Sequence, residues 1–371
     1  MADKNDKKYQ ELTKGLNPEE AGESKEAVDF RVKNYKKHRR ISYAKYGYLF
    51  LIPFFVAFII FQLIPLFQTF YYSFFRYERN GIDMIGPIFK GWRNYKLLFT
   101  GGEMWKYLGN TLIIWIVGFL PQMVVSLLLA IWFTDSRLKL HGTKFFQTVT
   151  YMPNLVMAAA FGYMFNMFFS QGGPVNQILM SCHWIDSPYL FKDSVWWVRC
   201  IIAFINFLMW FGNTSILLMS GIMGIDESVF ESSRLDGANS HTVFWKITFP
   251  LLTPIFVYFV ITSMIGGIQL FDAAQVFTLS NGGPDKTSMT IMMYLYTLIT
   301  SSQNYGLAGA LSVILFLFTG ILSLIVFKTM VPNNNPIRSE RRAQKARLRY
   351  VARGQREAQE AQAKAAAEGG K

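Results

Sequence analysis

Glu231-Ser232-Ser233-Arg234-Leu235-Asp236-Gly237-Ala238, followed by Phe244, Ile247 and Pro250, is a polar segment set between two apolar runs of membrane-spanning length. Asp226 is placed to N-cap a short helix through Val229, Phe230, Glu231 and Arg234, because its carboxylate can take up a free backbone N–H. Asp236-Gly237 then ends that helix, since glycine adopts the left-handed conformation past a helix end without steric cost. Ser240 is placed to cap a second helix. Phe244, Ile247 and Leu251 follow at helical spacing and are expected to face the membrane-side core. Pro250 and Pro254 mark the start of the next apolar run. The product is a helix–turn–helix elbow with Phe230 and Glu231 at its tip, suited to a groove on a partner. An ordinary amphipathic loop at the membrane surface fits the pattern equally well.

The runs on either side decide the class of protein. The chain has 371 residues, 51% hydrophobic and 16% aromatic, with net charge +13. That length alone would suit two or three soluble domains. A spanning helix, however, needs about 20 mostly apolar residues. Six segments qualify, at roughly 46–70, 111–133, 146–169, 196–219, 254–277 and 307–327. The expectation is an all-α, polytopic membrane protein with six transmembrane helices. Pro53, Pro65, Pro121, Gly266 and Gly267 do not exclude helix, because neighbouring helices re-satisfy freed backbone groups.

Charge sets the orientation. Lys and Arg crowd the first tail (Lys33, Lys36, Lys37, Arg39, Arg40, Lys45), the loop after the second run (Arg137, Lys139, Lys144) and the last tail (Arg338, Arg341, Arg342, Lys345, Arg347, Arg349). These segments and the elbow are cytoplasmic if both termini are inside, as the positive-inside rule asks. The exception is the first outer loop, with Arg76, Arg79, Lys90, Arg93, Lys96 and Lys106. The resulting organisation is a basic tail at 1–45, a membrane domain at 46–328 with its elbow at 223–253, and a basic tail at 329–371. No secretory leader is expected, since the first ~40 residues are polar. The tails read as topogenic charge or as sites for anionic lipid, ahead of any nucleic-acid role. In the second outer loop, Gln171-Gly172-Gly173-Pro174 marks a turn and 175–182 a short interfacial helix. A disulfide between Cys182 and Cys200 is open, with two unpaired thiols as the alternative.

Several chemistries lack their residues. No Gly-x4-Gly-Lys-Ser/Thr run is present to cradle phosphates; Gly283-Pro284-Asp285-Lys286-Thr287 lacks the second glycine. His-Glu-x-x-His is missing, and His38, His141, His183 and His241 are scattered, so neither a metal site nor a cofactor is expected. Gly-x-Ser-x-Gly is missing as well. The chain reads as no enzyme, without catalytic residues.

The elbow resembles the Glu-Ala-Ala loop of ABC importer permeases, on which an ATPase acts. Glu231, Asp236, Gly237, Ala238, Ile247 and Pro250 match that pattern, and Ser232 and Ser233 replace its two alanines. Other stretches resemble the MalF-like permeases of carbohydrate uptake. They include Phe50-Leu51-Ile52-Pro53, Pro65, Ser73-Phe74, Gly91-Trp92-Arg93-Asn94-Tyr95 and Asn110-Thr111. Tyr151-Met152-Pro153-Asn154, the segment from Thr278 to Pro284 and Tyr305-Gly306-Leu307-Ala308-Gly309-Ala310 complete the set. The resemblance implies a type I ABC importer permease fold in a bacterial cytoplasmic membrane. It implies a second homologous permease subunit, two ATP-binding subunits that carry ATP and Mg, and an extracellular solute-binding protein. Its cargo would be a sugar, with an oligosaccharide such as a maltodextrin favoured. No outer loop is long enough for the large folded insertion that some of those proteins carry.

The same resemblance places a sugar site on the fourth and fifth spans, at Asn206, Met209, Trp210, Asn213, Gln269 and Asp272. Asn206 agrees with the family pattern in type, whereas Trp210 and Asn213 depart from it. Independently, Asn206, Met209/Trp210 and Asn213 fall at i, i+3/i+4 and i+7, one helical face. Gln269 and Asp272 lie three apart, and an intramembrane Asp is a functional-site hypothesis by default. Interhelical hydrogen-bond glue is the alternative, as is an Asp272 near the outer interface. Asn213-Thr214-Ser215 is formally a glycosylation sequon but lies inside a span. Glycerol phosphate, a polyol or another small solute remains an alternative cargo. An ion-coupled transporter would leave the elbow unexplained.

Overall fold

The computed structural model describes residues 44–135, 138, 140–279 and 282–330. Arg137, Lys139, Asn281 and nearly all of the two basic tails lie outside the described residues. The chain divides into two units between Phe67 and Gln68. The first contains α1 (Ala44–Phe58), a π-helical turn (Ile59–Leu63) and the start of α2 (Ile64–Tyr72). Its described side chains are almost all apolar, Gln62 being the chief exception, a composition that suits a helix in a membrane.

The second unit opens with a β-hairpin that the sequence reading did not anticipate: β1 (Phe75–Asn80) antiparallel to β2 (Asp83–Phe89), with Phe75 opposite Phe89. Then come α3 (Arg93–Thr100), α4 (Glu103–Thr134), α5 (Thr143–Tyr151), α6 (Ala158–Phe168), α7 (Pro174–Ser181) and α8 (Val195–Met223). The remainder is α9 (Glu227–Leu235), α10 (Ser240–Val243), α11 (Phe249–Ile268), α12 (Asp272–Phe277), α13 (Ile291–Thr300) and α14 (Tyr305–Met330). Helix α7 is the short helix expected in the second outer loop.

Among the described residues, five helical stretches are long and apolar enough to cross a membrane: Tyr46–Tyr72, Glu103–Thr134, Val195–Met223, Ser240–Phe277 and Tyr305–Met330. The expected third span is not one helix. Residues 152–155 tighten into a 3-10 turn around Pro153, and Val156 and Met157 are extended before α6 begins. Proline supplies no N–H to continue the α-helical ladder. The Asn154 amide instead donates to the Met209 carbonyl of α8 at 3.2 Å.

Helices α4 and α8 form the seam on which the rest is built. Ile114, Ile202, Ile205 and Leu218 are fully or almost fully buried. Lipid tails are as apolar as leucine, so these side chains stabilise the seam by close contact rather than by leaving water. Hydrogen bonds add register: Gln122 Nε2 donates to Thr214 Oγ1 at 2.9 Å, and Ser126 Oγ to the Phe211 carbonyl at 2.8 Å. Gly212 keeps α5 close, since a Cβ there would collide with the Thr150 carbonyl. Arg199 donates to the Thr287 carbonyl and to Asn110 Oδ1, pinning the loop before α13. Cys182 and Cys200 are both free thiols, so the disulfide left open by sequence is not formed.

Candidate functional site

Two features carry the chemistry, an elbow and a cleft. In the elbow, Asp226 is the N-cap of α9, its Oδ1 accepting from the Ser228 N–H at 2.9 Å. That bond holds the Asp226 carboxyl below the usual range. At the other end Gly237 has φ +73°, with its N–H on the Arg234 carbonyl and the Ala238 N–H on the Ser233 carbonyl, both at 3.0 Å. This double closure is the Schellman motif, which satisfies two carbonyls that the helix end would leave bare. Glu231, Ser232 and Asp236 are exposed, Ala238 is half-buried and Ser233 is buried with its hydroxyl on the Phe230 carbonyl at 2.8 Å.

Three details of the expected elbow are corrected. The second helix is capped by Asn239 rather than Ser240, through Oδ1 and the Thr242 N–H at 2.8 Å. Its core face also shifts: Val243, Thr248 and Leu252 are buried, Phe244 and Ile247 half-buried, and Leu251 is 52% exposed. The cause is a π-helical turn over Phe244–Thr248. A wider turn inserts a residue into the helical count and rotates every side chain after it. Finally, Phe230 is not a free apolar tip. It is half-buried in a 330 Å³ groove with Ile131 and Thr134 of α4 and Ile222 and Met223 of α8.

The cleft lies between α4, α8 and α11 and encloses 510 Å³, within the range of small-molecule sites. Asn206, Trp210 and Asn213 reach it from α8, Tyr258 and Thr262 from α11, and Gln122 from α4. The one-face spacing read from the sequence is thus realised for three of the four α8 residues. Among the described residues, the Asn206 and Asn213 amides, the Trp210 indole N–H and the Tyr258 hydroxyl have no hydrogen-bond partner. The cleft therefore offers free donors and acceptors, the aromatic rings of Trp210, Tyr258 and Phe259, and no charged side chain.

The other expected site residues lie elsewhere. Met209 is buried and turned toward the seam, at 8% exposure. Gln269 ends α11 and lines a separate groove beside Met292 and Ser312. The chain then breaks at Leu270 and Phe271, and Asp272 begins α12 as an exposed residue outside the cleft. Gln269 and Asp272 therefore do not share the helical face expected of them. An acid in a first turn complements the helix dipole, which accounts for Asp272 where it stands. The sequence reading missed Gln122, Tyr258 and Thr262. Tyr258, Thr262 and Gly266 follow each other at i, i+4 and i+8, a polar-to-small stripe in an otherwise apolar helix that could have revealed them.

Comparison with known proteins places this architecture. The family described as binding-protein-dependent transport system inner membrane component matches residues 122–333. The lactose transport system permease protein LacF of Rhizobium radiobacter is 28% identical over 282 residues, covering 76% of this chain and 92% of LacF. The multiple sugar-binding transport system permease protein MsmF of Streptococcus mutans is 27% identical over 294 residues, covering 78% of this chain and 97% of MsmF. A chain of a bacterial alginate ABC transporter, crystallised in complex with alginate pentasaccharide-bound periplasmic protein, has the same fold. Its TM-score is 0.62 at 22% identity, over 77% of this chain and 94% of that one.

Proposed function

The chain belongs to the family of binding-protein-dependent transport system inner membrane components, and we propose that it is the permease subunit of an ATP-driven carbohydrate importer. It is a multi-pass protein of the cytoplasmic membrane. Its six expected spans, with α5, the 3-10 turn and α6 together making the third, would leave both termini and the elbow on the cytoplasmic side. In this reading a second homologous permease completes the pathway, and two ATPase subunits hold ATP and Mg. A solute-binding protein delivers the sugar on the opposite side. Relatives named for lactose, multiple-sugar and starch-product transport support a carbohydrate, oligosaccharides included.

One observation carries the cargo class: the cleft presents unpartnered amide, indole and hydroxyl groups beside aromatic faces, with no charge among them. Sugars need this combination, because hydroxyls exchange hydrogen bonds with neutral polar groups and the C–H face of a pyranose packs on a ring. Asn206, Trp210 and Asn213 are the assigned contacts, joined by Tyr258. A phosphorylated solute would require a cation, and Arg199 is already committed to Thr287 and Asn110.

The coupling follows from shared helices. Elbow residues Glu231, Ser232, Ser233, Asp236, Gly237 and Ala238 are assigned to coupling with the ATPase, the exposed Glu231, Ser232 and Asp236 as contacts and the buried Ser233 as support beneath them. Phe230 above them packs on the ends of α4 and α8, and the second elbow helix continues into α11. Those are the same three helices that line the cleft. From Met223 to Asn213 is about 15 Å along α8, so a tilt imposed at the elbow repositions the cleft walls without any conformational change inside a helix. Driving that tilt requires the partner to bind the two states with different affinity.

The deciding experiment is uptake into proteoliposomes that hold this chain with its partner permease, ATPase subunits and binding protein. ATP-dependent accumulation of an oligosaccharide is expected. Accumulation driven by an ion gradient in the absence of ATPase subunits would overturn the reading.

A further inference from the structure

Three of the positive charges that violate the orientation rule in the first outer loop, Lys90, Arg93 and Lys96, stand within two residues in sequence of side chains that wall an apolar groove. Helix α3 buries Asn94, Tyr95 and Leu98 against the rest of its unit. At 100° per residue, Trp92 and Phe99 fall at one edge of that buried face. Arg93 and Lys96 fall on the adjoining face that points away from the protein. Lys90, Arg93 and Lys96 are exposed, and among the described residues none has an ion pair or a side-chain hydrogen bond. Lys106 differs, since its Nζ is held by the Asp285 carbonyl at 2.8 Å.

The groove below encloses 340 Å³ and is walled by Trp92, Tyr95, Phe99, Trp105, Leu108 and Phe318. Leu108 and Phe318 come from α4 and α14, both long enough to span a bilayer. Trp92 is 70% exposed and Trp105 is 52% exposed at its mouth. Tryptophan concentrates at the headgroup level of membranes, because its ring is apolar and its N–H is wet.

We propose that this corner of the molecule binds an anionic phospholipid, with an acyl chain in the groove and the headgroup phosphate on Lys90, Arg93 and Lys96. Charge complementarity names the headgroup, and the apolar walls name the chain. A water-soluble acidic protein would meet the three cations but would leave the groove, which opens between membrane-spanning helices, unfilled. The site rests on the chain lying in a bilayer and is independent of what it transports. A bound lipid here would brace α3 against α14.

Native mass spectrometry of the assembled transporter, delipidated and then given equimolar phosphatidylglycerol and phosphatidylcholine, tests the site. Selective retention of phosphatidylglycerol is expected. The preference should fall about fivefold for each cation neutralised in R93Q and K96Q. It should persist in the charge-conserving R93K/K96R protein. The exposed Phe99→Ser change should weaken retention of both lipids. Equal retention of the two lipids by the unaltered complex would overturn the proposal. So would R93Q/K96Q losing the solute-binding protein while keeping its lipid preference, which would make the patch a protein-docking face.

Discussion

Gly237 isolates backbone conformation from packing better than any other position in the elbow. Its φ is +73°, and a Cβ built there would meet nothing within 4 Å. Replacement therefore costs no steric repacking, only the strain of holding an L-residue in the left-handed region, about 1–2 kcal/mol. That lowers the population of the closed turn by a factor of about 5–30. Asparagine tolerates the left-handed region, so Gly237→Asn should lie near the unaltered protein. Gly237→Ala should carry the full strain. Gly237→Pro should be worst, because proline fixes φ near −65° and removes the N–H that reaches the Arg234 carbonyl. The assay is ATP-dependent sugar uptake in proteoliposomes, with membrane insertion and subunit assembly quantified alongside. The expected order of uptake is Gly, Asn, Ala, Pro, with ATP hydrolysis losing its dependence on substrate in the proline variant. Normally assembled alanine and proline variants with full, coupled uptake would refute the view that the closed turn transmits the ATPase stroke.

Other positions separate the remaining claims. Asn206→Leu should raise the sugar concentration needed for half-maximal uptake about tenfold, since an unmet hydrogen bond costs about 1–3 kcal/mol. Asp272→Leu and Asp272→Asn should both leave it near normal, and a strong defect in both would return Asp272 to the site. Gln122→Leu and Thr214→Val should each lower the unfolding midpoint of the purified complex. Their double-mutant cycle should give a coupling of about 0.6 kcal/mol, the mean for interhelical bonds in membranes. The depressed Asp226 pKa makes the α9 cap strongest above the ordinary carboxylate pKa and weakens it as pH falls through the lowered value. Hydrogen exchange of the first turn of α9, compared between the unaltered protein and Asp226→Asn at each pH, should diverge only in that acid range. Gly212→Val should block the approach of α5 to α8 and appear as lost assembly with the partner permease.

Spans were legible because long apolar runs have one stable solution in hydrocarbon. The run at 146–169 shows the limit of that logic. Hydropathy reports where a segment can reside, not whether its backbone stays helical, and Pro153 with its extended successors breaks it while leaving it apolar. The hairpin at 75–89 escaped notice for a related reason. Its strands are short and mixed in polarity, and their pairing is supported from far along the chain by Gln303 and Asn304, through the Arg79 N–H and the Glu78 carboxylate. No local pattern reports such a partner.

The two functional features differ in legibility for one physical reason, which is phase. At the elbow, Asp226, Gly237 and Ala238 act within a single turn of themselves, so residue type and spacing suffice. On α8, an unbroken helix of 29 residues, the period of 3.6 holds throughout, and Asn206, Trp210 and Asn213 reach the cleft as counted. Between the elbow and Asp272, the phase is disturbed twice. The π-helical turn at Phe244–Thr248 adds a residue to the count, and the break after Gln269 starts a new helix axis. A face counted across that break cannot survive, so Asp272 leaves the face that Tyr258 and Thr262 present to the cleft; Gln269, still in phase with them at i+11 and i+7, sits at the end of α11 and lines a separate groove. The π-turn also joins the elbow to α11, so the irregularity that turns Leu251 outward sits on the path by which the elbow would move the cleft. Shortening it by one residue, with Trp245 deleted, should restore an α-helical count and rotate Tyr258 and Thr262 by about 100°. Uptake should then fail even in a complex that assembles and hydrolyses ATP, and full uptake by that deletion would refute the alignment of α11 argued here.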